Sequence, residues 1–520
     1  MTRTVDAYAW FAIVASLVFV APAAFAASAG DGNPNKASAS RSHGDSRNAA
    51  FVTGLIDAGF IVQEGGLQLV DTLKWVNTQA IVSAQANNAG QYYKRWVVPP
   101  HPLQTDVVDG AFSLGPDEAV VYVGKTPPQG DYFSYVLFLW TRQYPDSVLL
   151  TGDWLVASVG DPLNNLWIKT ETPSDPFAAT TVIIVTADEG VYDEVRKVAG
   201  SAGFPDSMIN ALVAPADLLH LGNGFRSDTL QAVIRTANIT SKSAQKKYFA
   251  DDQWGTVYRL TPTTSRALQP FDPPPWRDRA YVNEEALIPG LTAGLERLKA
   301  AILARTRHAQ ARPLDSVRWW YDSRDVLLDD PNSPAYRQNV AGESSDTPYL
   351  RSAETGEPAN FLLGNDDMVV VYGVNHAATG MATYSSFGVY GDWKLNDCPP
   401  ARGEPRFVYG CGVPIWNGVV GMTNHAFAGS AEEYMPGDPM TPYLYAVRVV
   451  RKARQSPQDP YCLVVPDLKD SKLGQPFYPD VIPLDKPVLI GYRAYVNRAT
   501  RAGPAYGDVI PDRAIWFRLQ

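Results

Sequence analysis

Arg493-Ala494-Tyr495-Val496-Asn497 repeats, residue for residue, a stretch met earlier as Arg279-Ala280-Tyr281-Val282-Asn283. Other landmarks recur around the two copies. Val120-Val121-Tyr122-Val123-Gly124 answers to Val369-Val370-Val371-Tyr372-Gly373, Tyr132-Phe133-Ser134 to Tyr384-Ser385-Ser386, and Gly152-Asp153-Trp154 to Gly391-Asp392-Trp393. An Ile-Pro pair follows each five-residue copy, Ile288-Pro289 and Ile510-Pro511. Echoes in a kept order are the mark of a duplicated unit. The expected fold is α+β: two β-rich units related by internal duplication, with packed helices and a helical connector.

The chain divides accordingly. Residues 1–26 read as a signal peptide: an apolar run from Phe11 to Ala21 leads into Ala24-Phe25-Ala26, a small-residue cleavage pattern. The run is too short to span a bilayer, which takes roughly 20 apolar residues. An exported protein, periplasmic or secreted, is expected, with no transmembrane anchor after cleavage. Residues 27–50, poor in large apolar side chains, read as a flexible leader. A small helical or mixed cap follows over 51–105, then a first β-rich unit over 106–290. That unit carries a strand-helix-strand insert at 181–214, with no counterpart expected later, and a further helix over 227–237. Residues 291–360 read as a helical connector and a polar surface loop. The second β-rich unit occupies 361–520.

Composition removes several function classes. A formal charge of −9, without a long Lys/Arg cluster, disfavours nucleic acid, whose phosphates need basic patches. No phosphate-cradling loop, Gly-x-Ser-x-Gly turn or His-Glu-x-x-His zinc pattern occurs. Three cysteines are too few to staple the fold. Cys398 and Cys411 bracket a Pro/Gly-rich loop and are candidates for one disulfide, with Cys411–Cys462 as the other pairing.

Two candidate sites remain. Asn375-His376-Ala377 and Asn424-His425-Ala426 both fit Asn-His-Ala-x-x-Gly, in a chain with only six histidines. Two imidazoles at one sheet end could act as acid and base or ligate a metal, with Asp438, Glu432 or Glu433 nearby in sequence. Alternatively, Asn375 and Asn424 shape turns in which the histidines cap carbonyls. Asp161 and Asn164, in a turn, and the aromatic pair Trp319-Trp320 could instead hold a sugar or another small molecule. The leading expectation is an exported binding protein taking a glycan or small organic ligand in a groove between the units. The alternative is a hydrolase or lyase built on His376 and His425. Metal and cofactor stay open.

Overall fold

The computed structural model describes residues 41–70, 88, 92–102, 110–147, 152–394, 414–415, 418–452, 459–472 and 480–518. The proposed signal peptide, Cys398 and Cys411 lie outside these. The chain separates into a segment ending at Ser46 and a body, Arg47–Gln520, which holds both sheets.

The fold is α+β, with two large sheets of similar size. The first contains β1 (Phe60–Val70), β2 (Tyr92–Val97), β3 (Ala119–Lys125), β4 (Tyr132–Arg142), β5 (Asp153–Ser158), β6 (Thr180–Thr186), β7 (Ile209–Val213), β8 (Thr229–Ala237) and β9 (Gly255–Pro262). Their spatial order is β5-β4-β8-β2-β1-β9-β3-β6-β7. The second contains β10 (Gln310–Arg318), β11 (Tyr349–Glu354), β12 (Asp367–Val374), β13 (Tyr384–Gly391), β14 (Gly418–Thr423), β15 (Leu444–Val450), β16 (Cys462–Val464), β17 (Val488–Tyr495) and β18 (Arg513–Arg518). Their order is β14-β13-β17-β11-β10-β18-β12-β15-β16. Adding nine to each label of the first sheet generates the second. All the neighbour pairs along both paths are antiparallel except β6–β7 and β15–β16, which are parallel in both units.

The topology repeats, but several landmarks that suggested repetition do not correspond. Val120–Gly124 and Val369–Gly373 lie on the equivalent strands β3 and β12, and the two Tyr-x-Ser stretches open β4 and β13. The two Arg-Ala-Tyr-Val-Asn copies lie in unlike settings. Arg493–Tyr495 end β17, buried throughout, whereas 279–283 are irregular chain with Tyr281 and Val282 exposed. Asp153-Trp154 open β5, while Asp392-Trp393 follow β13. Ile288 closes a short helix, and Ile510 leads into β18. The expected cap contributes two central strands, β1 and β2, and the helix expected over 227–237 is strand β8. The insert does have a counterpart, the parallel pair β15–β16.

Each long sheet folds back on itself through one shared strand. Phe60–Gly65 of β1 pair with β9, and Gly66–Val70 pair with β2. In β10 the hand-over falls between Leu314 and Asp315. A Cβ on Gly65 would run into the Val97 carbonyl, so glycine is required where the first strand crosses over. The two halves of each sheet then pack face to face. Because side chains alternate along a strand, Val120 and Tyr122 point inward against Phe133, Tyr135 and Leu137 of β4. Ala119, Val121 and Val123 point outward, under helices α1 (Arg41–Asp57) and α2 (Glu189–Ser201).

Burial on both faces explains why these strands read as unbroken apolar runs. α2 starts where Asp188 accepts a hydrogen bond from the Val191 amide at 2.8 Å, and it buries Val191, Val195 and Ala199 along one stripe. In the second unit α3 (Leu291–Arg305) takes the place of α1. Leu291, Leu295, Leu298 and Ile302 cover Val370, Tyr372, Ile515 and Phe517. α3, which lies in the chain between the two sheets, therefore belongs to the second unit's outer layer. Helix α1 begins at Arg41, inside the stretch expected to be a flexible leader.

Candidate functional site

Along β4 the inward residues leave Tyr132 and Ser134 on the opposite face, where the first unit meets the second. Register places Ser134 beside Arg235 of β8, and Arg235 beside Tyr93 of β2. The second unit repeats this rung: Ser386 of β13 lies beside Arg493 of β17, and Arg493 beside Tyr349 of β11. Both arginines are buried, at 7% and 4% exposure.

The rungs meet across a seam whose contacts are exchanged reciprocally. Tyr132 OH, of the first unit, donates to Asp346 Oδ2 at 2.8 Å and lies 2.6 Å from the Ser134 hydroxyl. Conversely, Asn88, which precedes β2, donates through Nδ2 to Tyr384 OH at 3.3 Å and to Ser386 Oγ at 3.1 Å. Arg235 Nη1 donates to Tyr349 OH at 3.1 Å and Ser344 Oγ at 3.2 Å, and its Nη2 to the Gly342 carbonyl. The Tyr132 and Tyr495 rings sit 4.8 Å apart. Exchange of equivalent contacts is the signature of an isologous, two-fold interface.

The stretch Glu343-Ser344-Ser345-Asp346-Thr347 threads this seam with each residue at most 5% exposed. A polar run of this composition was expected on the surface. It is buried because its neighbours supply hydrogen bonds. Asn164 Nδ2 donates to Asp346 Oδ1 at 2.8 Å, the Ser345 hydroxyl donates to Asp161 Oδ1, and Ser323 N donates to Glu343 Oε2 at 2.9 Å. Asp161 and Asn164 are thus brought into one network, as partners of the seam. Burial pushes the Asp346 carboxyl up to about 6, against Arg277, Asn164 and Tyr132, which favour its charged form. Glu343 is also raised, by burial and then by the Asp322 carboxylate. Some buried polar atoms stay unsatisfied here: Arg235 Nε, Asn88 Oδ1 and Glu343 Oε1.

The histidines do not share a site. His376 is buried, with Nδ1 2.8 Å from Glu284 Oε1 and Nε2 3.2 Å from Asp512 Oδ2. Thr379 Oγ1 and Ile510 N donate to Glu284, and Tyr445 OH donates to Asp512. Burial alone would lower the His376 pKa, but the two carboxylates outweigh it and carry it up to about 10. This is an imidazolium clamped on both nitrogens. It has no lone pair for a metal and cannot serve as a base at neutral pH. His425 is exposed and pairs with Asp131 at 2.8 Å. Asn375 Oδ1 accepts from Ala378 N and Asn424 Oδ1 from Ser385 N, so both amides shape local chain.

The acids near the histidines in sequence are engaged elsewhere. Glu433 pairs with Arg448, Asp438 with Arg297, and Glu432 accepts from Gly437 N and Thr441 Oγ1. Among the described residues no group of three or more His, Cys, Asp or Glu is arranged to hold a metal ion. Trp319 and Trp320 are not an exposed platform. They stack at 4.6 Å and pack into the core beside Tyr390, with Trp320 at 7% exposure. Cys462 is a free, half-buried thiol on β16. Among the described residues no helix is long and apolar enough to cross a membrane.

Sequence reasoning missed Arg235, Glu343 and Asn88. The signal for Arg235 was present: Ile234-Arg235-Thr236-Ala237-Asn238 is the true partner of Tyr492-Arg493-Ala494-Tyr495-Val496-Asn497. One extra residue and the side-chain differences hid it behind the stronger literal match at 279–283.

No protein-family profile matches the chain, and no curated protein matches it. Two solved structures are similar over most of its length. The VPA0106 protein of Vibrio parahaemolyticus is 12% identical, with a TM-score of 0.36 over 92% of this chain and all of that one. A putative uncharacterised protein from Burkholderia cenocepacia is 10% identical, with a TM-score of 0.35 over 92% of this chain and 89% of its own.

Proposed function

We propose that this is an exported, non-catalytic binding protein that holds a small organic ligand, a glycan among the candidates, at the seam between its two units. The observation that carries this reading is the buried strip Glu343–Thr347 facing the paired Tyr-Arg-Ser rungs. Polar side chains are expensive to bury unless every group finds a partner. Here three buried polar atoms have none, which is the condition of a surface prepared for a ligand. Export rests on the short apolar run ending in Ala24-Phe25-Ala26.

The geometry gives the hydrolase reading less. His376 is locked as an imidazolium, and His425 sits on a separate acid. Thermal-shift screening of the mature protein against sugars and small organic molecules tests the proposal. At least one compound should raise the melting temperature of the wild type, and Ser344→Ala should cut that rise by half or more. A compound library that moves nothing, or a shift untouched by Ser344→Ala, would rule out the seam. Turnover of a model ester or glycoside that His376→Gln abolishes would restore the enzyme reading.

A further inference from the structure

We infer that Glu343 binds a hydroxyl group of the seam's ligand, and that this ligand is a neutral sugar. The inference rests on the binding reading above and narrows it to one side chain and one chemical class. Glu343 is 1% exposed, and its two carboxyl oxygens are treated differently. Oε2 accepts a hydrogen bond from Ser323 N at 2.9 Å, whereas Oε1 is buried and has no partner. A buried carboxyl oxygen without a partner weakens the fold that holds it.

The charged groups beside Glu343 are engaged with other atoms. Asp322 Oδ1 accepts from Arg324 N at 3.0 Å, the backbone amide next to the one that holds Glu343. Arg324 also grips Asp322 with two prongs, Nε 3.0 Å from Oδ1 and Nη2 2.7 Å from Oδ2. Arg279 donates through Nε to the Gly503 carbonyl at 3.1 Å and through Nη2 to the Pro504 carbonyl at 3.0 Å.

These surroundings select a hydroxyl. Against burial, hydrogen bonds from Arg324 hold the Asp322 carboxyl below the usual carboxylate range. Burial, and then the Asp322 carboxylate, raises Glu343. A charged Glu343 offers Oε1 as an acceptor, and a protonated one offers an O–H donor. A hydroxyl answers both forms, an ammonium only the first and a carbonyl only the second. Charges of both signs face the group, Asp322 against Arg279 and Arg324, so neither an anion nor a cation gains over a neutral ligand.

The rings nearby narrow the class to a sugar. Arg324 lies 5.4 Å from the centre of the Trp276 ring, and Arg279 5.9 Å from that of Tyr506. Both rings are half-buried. Burial and then the Glu343 carboxylate push the Tyr506 phenol up to about 12, so the acid and this ring share one environment. Aromatic surface beside one or two placed polar groups is the usual lining of a small-molecule site. A sugar matches it, with apolar ring faces and hydroxyls at the edge.

Calorimetric titration of the full mature protein with glucose, galactose, mannose and N-acetylglucosamine tests this, with succinate and ethanolamine as charged comparisons. At least one sugar should bind. Glu343→Met should weaken it ten-fold or more, and Glu343→Gln, which keeps an acceptor for Ser323 N, by less. Ligand-free Glu343→Gln should melt within a degree or two of the wild type. Sugar binding untouched by Glu343→Met overturns the inference and leaves the binding reading intact, as does tighter binding of succinate or ethanolamine than of any sugar. No binding by these probes or by the wider library removes both. Crystals of the wild type soaked in the tightest sugar give a readout that needs no variant. A sugar hydroxyl should lie within hydrogen-bond distance of Glu343 Oε1, and a sugar seated elsewhere overturns the assignment.

Discussion

Two buried side chains, His376 and Asp346, make the stability of this protein fall with rising pH in two separate windows. The folded-state pKa of His376 stands at about 10, above the ordinary histidine value of about 6.5. The folded protein holds that proton where the unfolded chain has released it. The stabilisation is complete below pH ~6.5 and is lost as pH rises toward 10, with a slope of at most about 1.4 kcal/mol per pH unit for one proton. Urea denaturation of the wild type should show this decline, and His376→Gln should flatten it. The same substitution leaves Glu284 and Asp512 as uncompensated buried carboxylates, so a loss of about 3–5 kcal/mol at pH 6 is expected. Asp346 acts in the same direction, in a more acidic window. Its pKa of about 6 exceeds the ordinary aspartate value of about 3.9, so the folded state gains stability as pH falls through that window. Asp346→Asn should remove the dependence between pH 4 and 6 and leave the alkaline limb of His376 untouched.

At the scale of the element, helix α3 was the clearest feature in the sequence, and its stripe of leucines does form an apolar face. What the stripe could not reveal was the partner. Leu298 packs against strands of the second sheet, so Leu298→Ala should cost about 2–5 kcal/mol in a denaturant melt of the whole chain. Strands such as β3, β4 and β12 were equally legible, because burial on both faces demands continuous apolar sequence. β1 and β8 were not. Phe60–Val70 contains Gln63, Glu64, Gly65 and Gly66, which blur the two-residue period where the strand changes neighbours. β8 opens next to Asp228 and carries Gln231 and Arg235 among its apolar residues, a mixture that imitates helical spacing. The polar run at 343–347 looked like a loop for a sound reason. Only three-dimensional neighbours, Asn164 and Ser323 among them, could pay for its burial.

For the whole molecule, the literal five-residue repeat was the wrong witness to a correct conclusion. Nine strands recur in the same spatial order, while the copy at 279–283 serves a different purpose: it leads Asn283 and Glu284 to the clamp around His376. Identity over a few residues is a weaker signal than register, since register fixes which side chains share a face. The reciprocal seam predicts how the molecule responds to cutting. A protease site introduced after Ser265, in the exposed stretch that follows β9, should yield two fragments that still elute together by size exclusion at the volume of the intact chain. Separation of the fragments in the absence of denaturant would mean that the seam does not hold the units.

One further property follows from the pairing of first and last strands. Phe60 lies opposite Pro262, and Gln310 opposite Arg518, so the chain enters and leaves each unit at the same end of an antiparallel ladder. A force applied across those entry and exit points therefore loads the rungs one after another, like a zip, instead of all together in shear. Stretched from its ends, each unit should open at low tension by peeling its outermost hydrogen bonds first. Resistance to pulling would have to come from the side chains packed above and below the ladder.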